Sequence, residues 1–204
     1  GFAELMRTGT VPEQDAINFS NTIYAEAQRL ITLVNDIIHM SELEDNQVSE
    51  PSEPVSLQTL AKKITARLSE SAKKKQVTLN VIGTDAWVYG VPRILDEMID
   101  NLCDNAIKYN KENGSVTVET GEDQKHAWIS VSDTGIGIPA SQQERVFERF
   151  YRVDKSRSKK EGGTGLGLAI VKHGVMYHHA EISLESKVGE GTKITLTFPK
   201  KETE

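Results

Sequence analysis

Four polar side chains recur on one face of a predicted helix in the middle of the chain. In the segment RILDEMIDNLCDNAIKYN, positions i, i+4, i+8 and i+11 are Glu97, Asn101, Asn105 and Lys108. At 100° per residue these positions span an arc of about 80° on a helix. A carboxylate can orient water or take a proton, an amide oxygen can bind Mg²⁺, and a lysine can neutralise phosphate. The same stripe would suit the solvated face of an amphipathic helix, although asparagine is a poor residue for a helix interior.

Two glycine clusters flank a polar, basic run in the second half of the chain. The segment DTGIGIP begins at Asp133, and GGTGLGLAIVKH runs from Gly162 into a predicted helix. A carboxylate at a strand end, followed by glycines, suits an acceptor for an exocyclic amine with backbone packed against a flat ring. Backbone N–H groups at a glycine-rich helix start form an anion site. The run KSRSKK between the clusters is either a plain solvated loop or a lid over a site.

Neither glycine cluster fully matches the best-known nucleotide or protease motifs. The second cluster lacks the Gly-Lys-Ser/Thr ending of a Walker loop, and it does not follow a strand as the Rossmann fingerprint does. Asp-Thr-Gly also occurs in aspartic proteases, whose mechanism needs a second carboxylate in matching context. The chain has no second Asp-Thr-Gly, which argues against a protease of that kind.

The composition is that of a folded protein with net negative charge. Of the 204 residues, 37% are hydrophobic and 26% are charged, so the chain can form a core. A net charge of −6 argues against a protein that coats nucleic acid. No apolar run approaches the ~20 residues that span a bilayer. The single cysteine, Cys103, is predicted to be a buried structural thiol in a reducing compartment. Because the chain has no signal-peptide pattern and starts at Gly1, we expect it to be cut from a longer protein.

Helix and strand patterns divide the chain into three parts. A helix is predicted from Pro12 to about Leu43, with apolar residues spaced as in a helical bundle. Since GFAELM resembles the end of a preceding helix, residues 1–46 are predicted to be a helical hairpin with one arm trimmed, completed by a second copy of the chain. The acidic residues 47–55, which include two prolines, are predicted to be a linker. Residues 56–204 are predicted to be a separate domain.

That domain has the element order of an α+β fold. Ser56 is predicted to cap a helix that ends near Lys75, and Pro92 is predicted to open a helix that ends near Tyr109. Between them, VTLNVI and AWVYG are predicted as a pair of strands, and SVTVET, HAWISVS, AEISLES and KITLTF complete one sheet. This order predicts a two-layer α/β sandwich, a mixed sheet with helices on one face, and argues against a doubly wound parallel sheet.

Taken together, these segments resemble the catalytic and ATP-binding domain of bacterial sensor histidine kinases, whose Bergerat fold is shared with gyrase-like ATPases. EMIDNLCDNAIKY matches the N box of that family, DTGIGIP the first glycine box, FERFYR the F box and GGTGLGL the second glycine box. GEGT matches the short glycine turn near the end of the domain. The resemblance covers about Glu53 to Pro199, and YAEAQRLITLVNDIIHMSELE resembles the second helix of the family's dimerisation hairpin.

The resemblance implies ATP and Mg²⁺ as cofactors, with catalytic roles for Glu97, Lys108 and Arg152. Mg²⁺ would be held by Asn101, with Asn105 close beside it. Lys108 and Arg152 would contact phosphate. Glu97 matches the carboxylate that activates water in the hydrolysing relatives.

The same resemblance implies how the nucleotide itself would be bound. Asp133 would accept a hydrogen bond from the adenine amino group, with Gly135 and Gly137 shaping that wall of the site. Tyr109 would line the pocket. Backbone N–H groups of the second glycine box would face phosphate, and this segment comprises Gly163, Thr164, Gly165, Leu166 and Gly167.

The family's phosphoacceptor histidine is followed by an acidic residue and, a few positions on, a proline, a pattern that this chain lacks. The resemblance therefore implies the cytoplasmic part of a membrane-anchored protein-histidine kinase that dimerises through the hairpin. It would pass phosphate to an aspartate of a response-regulator receiver domain, and would contact a membrane only through segments outside this chain. The chain alone should bind Mg·ATP without autophosphorylating. A non-catalytic ATP-binding or dimerisation module and a gyrase-type ATPase are the open alternatives.

The histidines of the chain are predicted to have structural roles. His39, in DIIHMSE, lacks the acceptor context and is predicted to be a surface or bundle-flanking residue. His178 and His179 end a predicted helix, and their charge is predicted to complement the helix C-terminus. Adjacent helical residues point about 100° apart, which argues against a metal shared by this pair. His126 and His173 belong to no recognisable constellation.

Overall fold

A computed structural model describes residues 1–7, 12–44, 48–153 and 163–200. The helices within these ranges are α1 (Phe2–Arg7), α2 (Glu13–Glu44), α3 (Leu57–Lys74), α4 (Pro92–Lys108) and α5 (Gly167–Tyr177). The strands are β1 (Glu53–Ser56), β2 (Thr78–Gly83), β3 (Trp87–Gly90), β4 (Ser115–Glu122), β5 (His126–Asp133), β6 (Glu181–Lys187) and β7 (Gly191–Pro199). Two short 3₁₀ turns, Ala140–Gln142 and Arg145–Phe147, lie between β5 and α5.

Five strands form a mixed sheet in the order β2-β4-β5-β7-β6. Strand β2 runs parallel to β4, and the other neighbouring pairs are antiparallel. Helix α3 packs beside β2, α4 against β4 and β5, and α5 against β6, so the three helices share one layer. This arrangement confirms the predicted two-layer α+β sandwich.

The helix starts follow from local sequence. Ser56 caps α3, because its Oγ accepts a hydrogen bond from the N–H of Thr59 at 3.1 Å. Pro92 occupies the first position of α4, where its missing N–H is tolerated. The apolar side of α4 is fully buried at Ile94, Leu95, Met98 and Ile99. Burial of this side turns the opposite, polar stripe of α4 away from the core.

The predicted long helix is confirmed as α2, and it has two apolar sides. One side packs on the domain through Met40 and Leu43, which are 4% and 6% exposed. The other side is about half exposed, and no element among the described residues covers it. It comprises Leu30, Ile31, Val34, Ile37 and Ile38.

The structure differs from the prediction at the strands around residue 55. The segment predicted as a linker contains the start of β1, which pairs antiparallel with β3 in a separate two-stranded sheet. Pro54 is compatible with this small sheet because a proline is tolerated on an edge strand. The prediction that β2 and β3 both belong to one sheet is therefore confirmed for β2 and wrong for β3. Gly83, with φ +95°, ends β2 in a turn, and Thr84 N–H donates to Thr120 O at 2.9 Å.

Candidate functional site

A cavity of about 200 Å³ opens between α4, the start of α5 and the ends of β5 and β7. The polar stripe of α4 faces it through Asn101, Asn105 and Lys108. The structure thus brings the two predicted glycine clusters and the helix stripe to one place. The other predicted residues that line the cavity are Tyr109, Asp133, Gly137, Arg152, Gly163, Thr164, Gly165 and Gly167.

Three predicted residues do not line the cavity. Gly135 is buried beneath Asp133, where its N–H donates to Asp133 Oδ1 at 2.8 Å. Leu166 is buried in the core at the start of α5. Glu97 lies one turn before Asn101 on α4, outside the cavity lining.

Asp133 lies at one end of the cavity with one carboxylate oxygen already bonded. Its Oδ1 accepts the N–H groups of Gly135 at 2.8 Å and Thr192 at 3.3 Å. Burial raises the pKa of Asp133 above its usual range, while these two backbone hydrogen bonds partly oppose the rise. No described residue donates to Oδ2, so this oxygen is left to accept a hydrogen bond from a bound molecule.

The loop after Asp133 is held in place by the turn between β6 and β7. Gly189 N–H donates to Ile136 O at 2.8 Å, and Ile138 N–H donates to Ser186 Oγ at 2.8 Å. Gly137 has φ +67° in this loop, a conformation that favours glycine. Sequence reasoning missed the apolar walls around Asp133, because they come from five separate segments of the chain. These walls are formed by Val131, Ile136, Ile138, Val146, Leu168 and Ile194.

The opposite end of the cavity is cationic. A Cβ placed on Gly163 would lie 3.7 Å from Lys108 Nζ and 3.9 Å from Arg152 Nη2, so both cations reach the second glycine cluster. Arg152 Nε and Nη2 are buried and have no hydrogen-bond partner among the described residues. Buried N–H groups without a hydrogen-bond partner are costly, so an anionic ligand that accepts from these two nitrogens would stabilise this end of the cavity.

The amide stripe of α4 lies against the start of α5. Asn101 Nδ2 donates to Glu97 O at 2.9 Å, which leaves the amide oxygen available. A Cβ on Gly167 would lie 2.6 Å from Asn101 Oδ1, so only glycine lets the helix start come this close. Among the described residues, no cluster of three His, Cys, Asp or Glu side chains could hold a metal. A metal bound here would depend on the Asn101 and Asn105 amide oxygens together with ligand oxygens.

Helix α2 contacts the site directly, which sequence reasoning missed. His39 Nδ1 lies 2.8 Å from Glu97 Oε1, and Thr164 Oγ1 donates to Asp36 Oδ2 at 2.7 Å. His39 is therefore not a bundle-flanking residue but part of the contact between α2 and α4. The reason is that Met40 and Leu43 on the same helix are buried in the core, which turns this side of α2 towards the domain.

His178 was predicted to act through its charge at the helix end, and the structure shows a different role. His178 accepts the N–H of Val91 at Nε2 (3.1 Å) and lies 2.8 Å from Gly174 O through Nδ1. Burial lowers the pKa of His178, so the ring is a neutral link between α5 and α4 and does not act through its charge. The prediction of a buried structural thiol is confirmed, since Cys103 is fully buried, and this burial raises the pKa of Cys103 to about 12. His126 and His173 lie 3.6 Å from Asp123 and Glu44 respectively.

The chain is similar in sequence to sensor histidine kinases. The model of a family described as histidine kinase-, DNA gyrase B- and HSP90-like ATPases matches residues 90–202. The sensor histidine kinase WalK of Bacillus subtilis is 37% identical over an alignment of 206 residues. This alignment covers 98% of this chain and 34% of WalK. The sensor-like histidine kinase SenX3 of Mycolicibacterium smegmatis is 36% identical over 89% of this chain and 47% of SenX3.

Solved structures of the same kind share the fold. The mycobacterial sensor histidine kinase MprB superposes with a TM-score of 0.64 and 30% identity, covering 72% of this chain and 97% of that one. The Acinetobacter baumannii histidine kinase AdeS superposes with a TM-score of 0.81 over 99% of this chain and 93% of the AdeS chain. Its sequence is only 19% identical, so this likeness shows the fold alone.

Fold, site and sequence together define a domain of the histidine kinase-, gyrase B- and HSP90-like ATPase class. Within that class, the chain belongs to the bacterial sensor histidine kinases. It spans about a third to a half of the curated relatives, at 34% of WalK and 47% of SenX3. No helix in the described ranges has both the length and the apolar character needed to cross a bilayer.

Proposed function

We propose that this chain is the nucleotide-binding and phosphoryl-donor part of an ATP-dependent protein-histidine kinase of a two-component system. The observation that carries the proposal is the polarity of the cavity. Asp133 lies at one end, and no described residue donates a hydrogen bond to its Oδ2. Lys108 and Arg152 lie at the other end, where Arg152 Nε and Nη2 are buried without a partner among the described residues. Apolar walls between them suit a flat base, so the cavity fits a nucleotide with its base at Asp133 and its phosphates at the cationic end.

The base would be recognised by a hydrogen bond and by shape. Asp133 Oδ2 would accept from the exocyclic amine of adenine, while Gly135 fixes the carboxylate through Oδ1. Gly137 keeps the loop backbone close to the ring, and Tyr109 lines the pocket beside it. A base that presents a carbonyl in place of the amine would place a second hydrogen-bond acceptor opposite the carboxylate, with no donor between them.

The phosphates would be held by charge and by backbone donors. Lys108 and Arg152 would neutralise them, and backbone N–H groups between Gly163 and Gly167 would add an anion site at the start of α5. The amide oxygens of Asn101 and Asn105 would hold Mg²⁺, which supplies charge neutralisation between phosphate groups when bound. Phosphoryl transfer requires mainly positioning and charge neutralisation, and these residues provide both.

The acceptor of the phosphoryl group would come from outside this chain. None of the five histidines in the chain is followed by the acidic residue and proline of the family's acceptor. We therefore infer that the chain binds Mg·ATP without phosphorylating itself. The chain would form a dimer through the exposed apolar side of α2. The whole protein would pass its phosphoryl group to a response-regulator receiver domain and would have a membrane anchor elsewhere.

Calorimetric titration with Mg·ADP and a non-hydrolysable Mg·ATP analogue tests the donor site. Asp133→Asn removes the charged acceptor and should weaken binding by about ten- to a hundredfold. Asp123→Asn is the matched control, because Asp123 lies in the exposed β4–β5 turn and should bind nucleotide like the wild type. Failure of the folded wild-type chain to bind either nucleotide would contradict the proposal. Steady phosphate release without any acceptor would instead indicate a gyrase-type ATPase.

A further inference from the structure

Helix α2 contacts the loops on both sides of residues 154–162. Glu44 of α2 pairs with Arg149, which precedes this segment, and lies 3.6 Å from His173 of α5. Asp36 accepts a hydrogen bond from Thr164, which follows the segment, at 2.7 Å. Asp36 and Glu44 lie on the side of α2 that Met40 and Leu43 bury against the domain. Helix α2 is therefore linked to Thr164, which lines the cavity, and to Arg149 and His173, which lie outside its lining.

The Asp36 contact places a negative charge at the cationic end of the cavity. Thr164 lines the cavity next to Gly163, whose surroundings include Lys108 Nζ and Arg152 Nη2. Leu166 N–H donates to Thr164 Oγ1 at 3.3 Å, so the hydroxyl proton is directed to Asp36. Asp36 forms no ion pair within the described ranges that would cancel its charge.

We propose that Asp36 sets the preference of the nucleotide site between a diphosphate and a triphosphate, favouring the diphosphate while α2 is docked. The inference rests on the proposed function, because the base must lie at Asp133 for the phosphates to run towards Thr164. The terminal phosphate of a triphosphate would then lie furthest from Asp133 and nearest Thr164, which α2 contacts through Asp36. Since Mg·ATP carries more negative charge than Mg·ADP, the Asp36 carboxylate repels the triphosphate more strongly.

The same repulsion acts on the helix. By thermodynamic linkage, a helix that lowers the affinity for the triphosphate is itself displaced by the triphosphate to the same extent. Mg·ATP should therefore loosen the contact between α2 and the domain, and Mg·ADP should loosen it less. Asp36 is in this sense a specificity-determining residue that also reports which nucleotide is bound.

The test compares the dissociation constants of Mg·ADP and a non-hydrolysable Mg·ATP analogue by calorimetry. Asp36→Asn keeps an oxygen acceptor for Thr164 but removes the charge, and should shift the ratio towards the triphosphate by about three- to tenfold. Asp36→Glu keeps the charge and should retain most of the wild-type ratio. Glu26→Gln removes a carboxylate that pairs with Arg29, about 15 Å further along the same helix, and should leave the ratio unchanged.

A distance measurement gives a second, independent readout. Spin labels at Thr32→Cys on α2 and Ser183→Cys on β6 occupy exposed positions, and the buried Cys103 should not take up label. The triphosphate analogue should lengthen or broaden the label-to-label distance in the wild type more than Mg·ADP does. An Asp36→Asn ratio equal to that of the wild type, or a distance that neither nucleotide changes, would overturn the inference while leaving the nucleotide site intact. Absence of binding by either nucleotide would overturn both proposals.

Discussion

Arg152 offers a test in which free-protein stability and ligand binding should change in opposite directions. Its Nε and Nη2 atoms are buried and have no hydrogen-bond partner among the described residues. An unsatisfied buried polar group costs about 1–3 kcal/mol. Because Arg152 as a whole is only partly buried, we expect Arg152→Met to raise the free energy of unfolding by about 1–2 kcal/mol. The corresponding rise in Tm is about 2–8 °C for a chain of this size.

The same substitution should weaken nucleotide binding. Hydrogen bonds from a guanidinium to phosphate contribute about 1.5–3 kcal/mol, so the affinity for Mg·ADP should fall roughly ten- to a hundredfold. Urea unfolding with and without Mg·ADP measures both effects on one protein. Arg29→Met is the control, because Arg29 pairs with Glu26 on α2 and should change neither quantity appreciably. A variant that is less stable than the wild type and binds Mg·ADP equally well would show that Arg152 has a structural role, which refutes this reasoning.

Three further predictions concern pH, thiol reactivity and the start of α5. Because burial lowers the pKa of His178 from 6.5, the unfolded chain binds a proton below about pH 6.5 that the folded protein does not. The free energy of unfolding should therefore fall as pH drops below 6.5, and His178→Gln, followed by urea unfolding across this range, should flatten the decline. Since the pKa of the buried Cys103 is raised to about 12, a maleimide should label the denatured chain at neutral pH and leave the native one largely unlabelled, and rapid native labelling would contradict this. Gly167→Ala places a Cβ 2.6 Å from Asn101 Oδ1, so we expect calorimetry to show weaker Mg·ADP binding, and unchanged affinity would show that Asn101 is not needed.

The parts of the fold that local sequence specifies could be predicted. The capping residue Ser56, the first-turn Pro92 and the periodicity of the polar stripe fix the helices and the faces that they present. The separation of β3 from the main sheet could not be predicted, because strand patterns do not reveal which strand pairs with which. Here Gly83 ends β2 in a turn, and β3 pairs with β1 instead. The prolines around β1 are typical of a linker, so the sequence did not indicate a strand there.

The candidate site was predictable in its motifs but not in its contacts. Asp133 and the α4 stripe lie within short, recognisable segments, so spacing and resemblance indicated them. The contact between His39 and Glu97 joins residues 58 positions apart, and no local pattern indicates it. It depends on how α2 packs against the domain through Met40 and Leu43, which is a property of the folded chain.

The most direct test of the central claim compares Mg·ADP with Mg·GDP in calorimetric titrations of the wild-type chain. Guanine presents a carbonyl where adenine presents its amine, so the unbonded oxygen of Asp133 would face an acceptor. The proposed orientation predicts micromolar-range binding of Mg·ADP and at least about tenfold weaker binding of Mg·GDP. Equal binding of the two nucleotides, or no binding of Mg·ADP by the folded chain, would contradict the proposal that Asp133 recognises the base in this cavity.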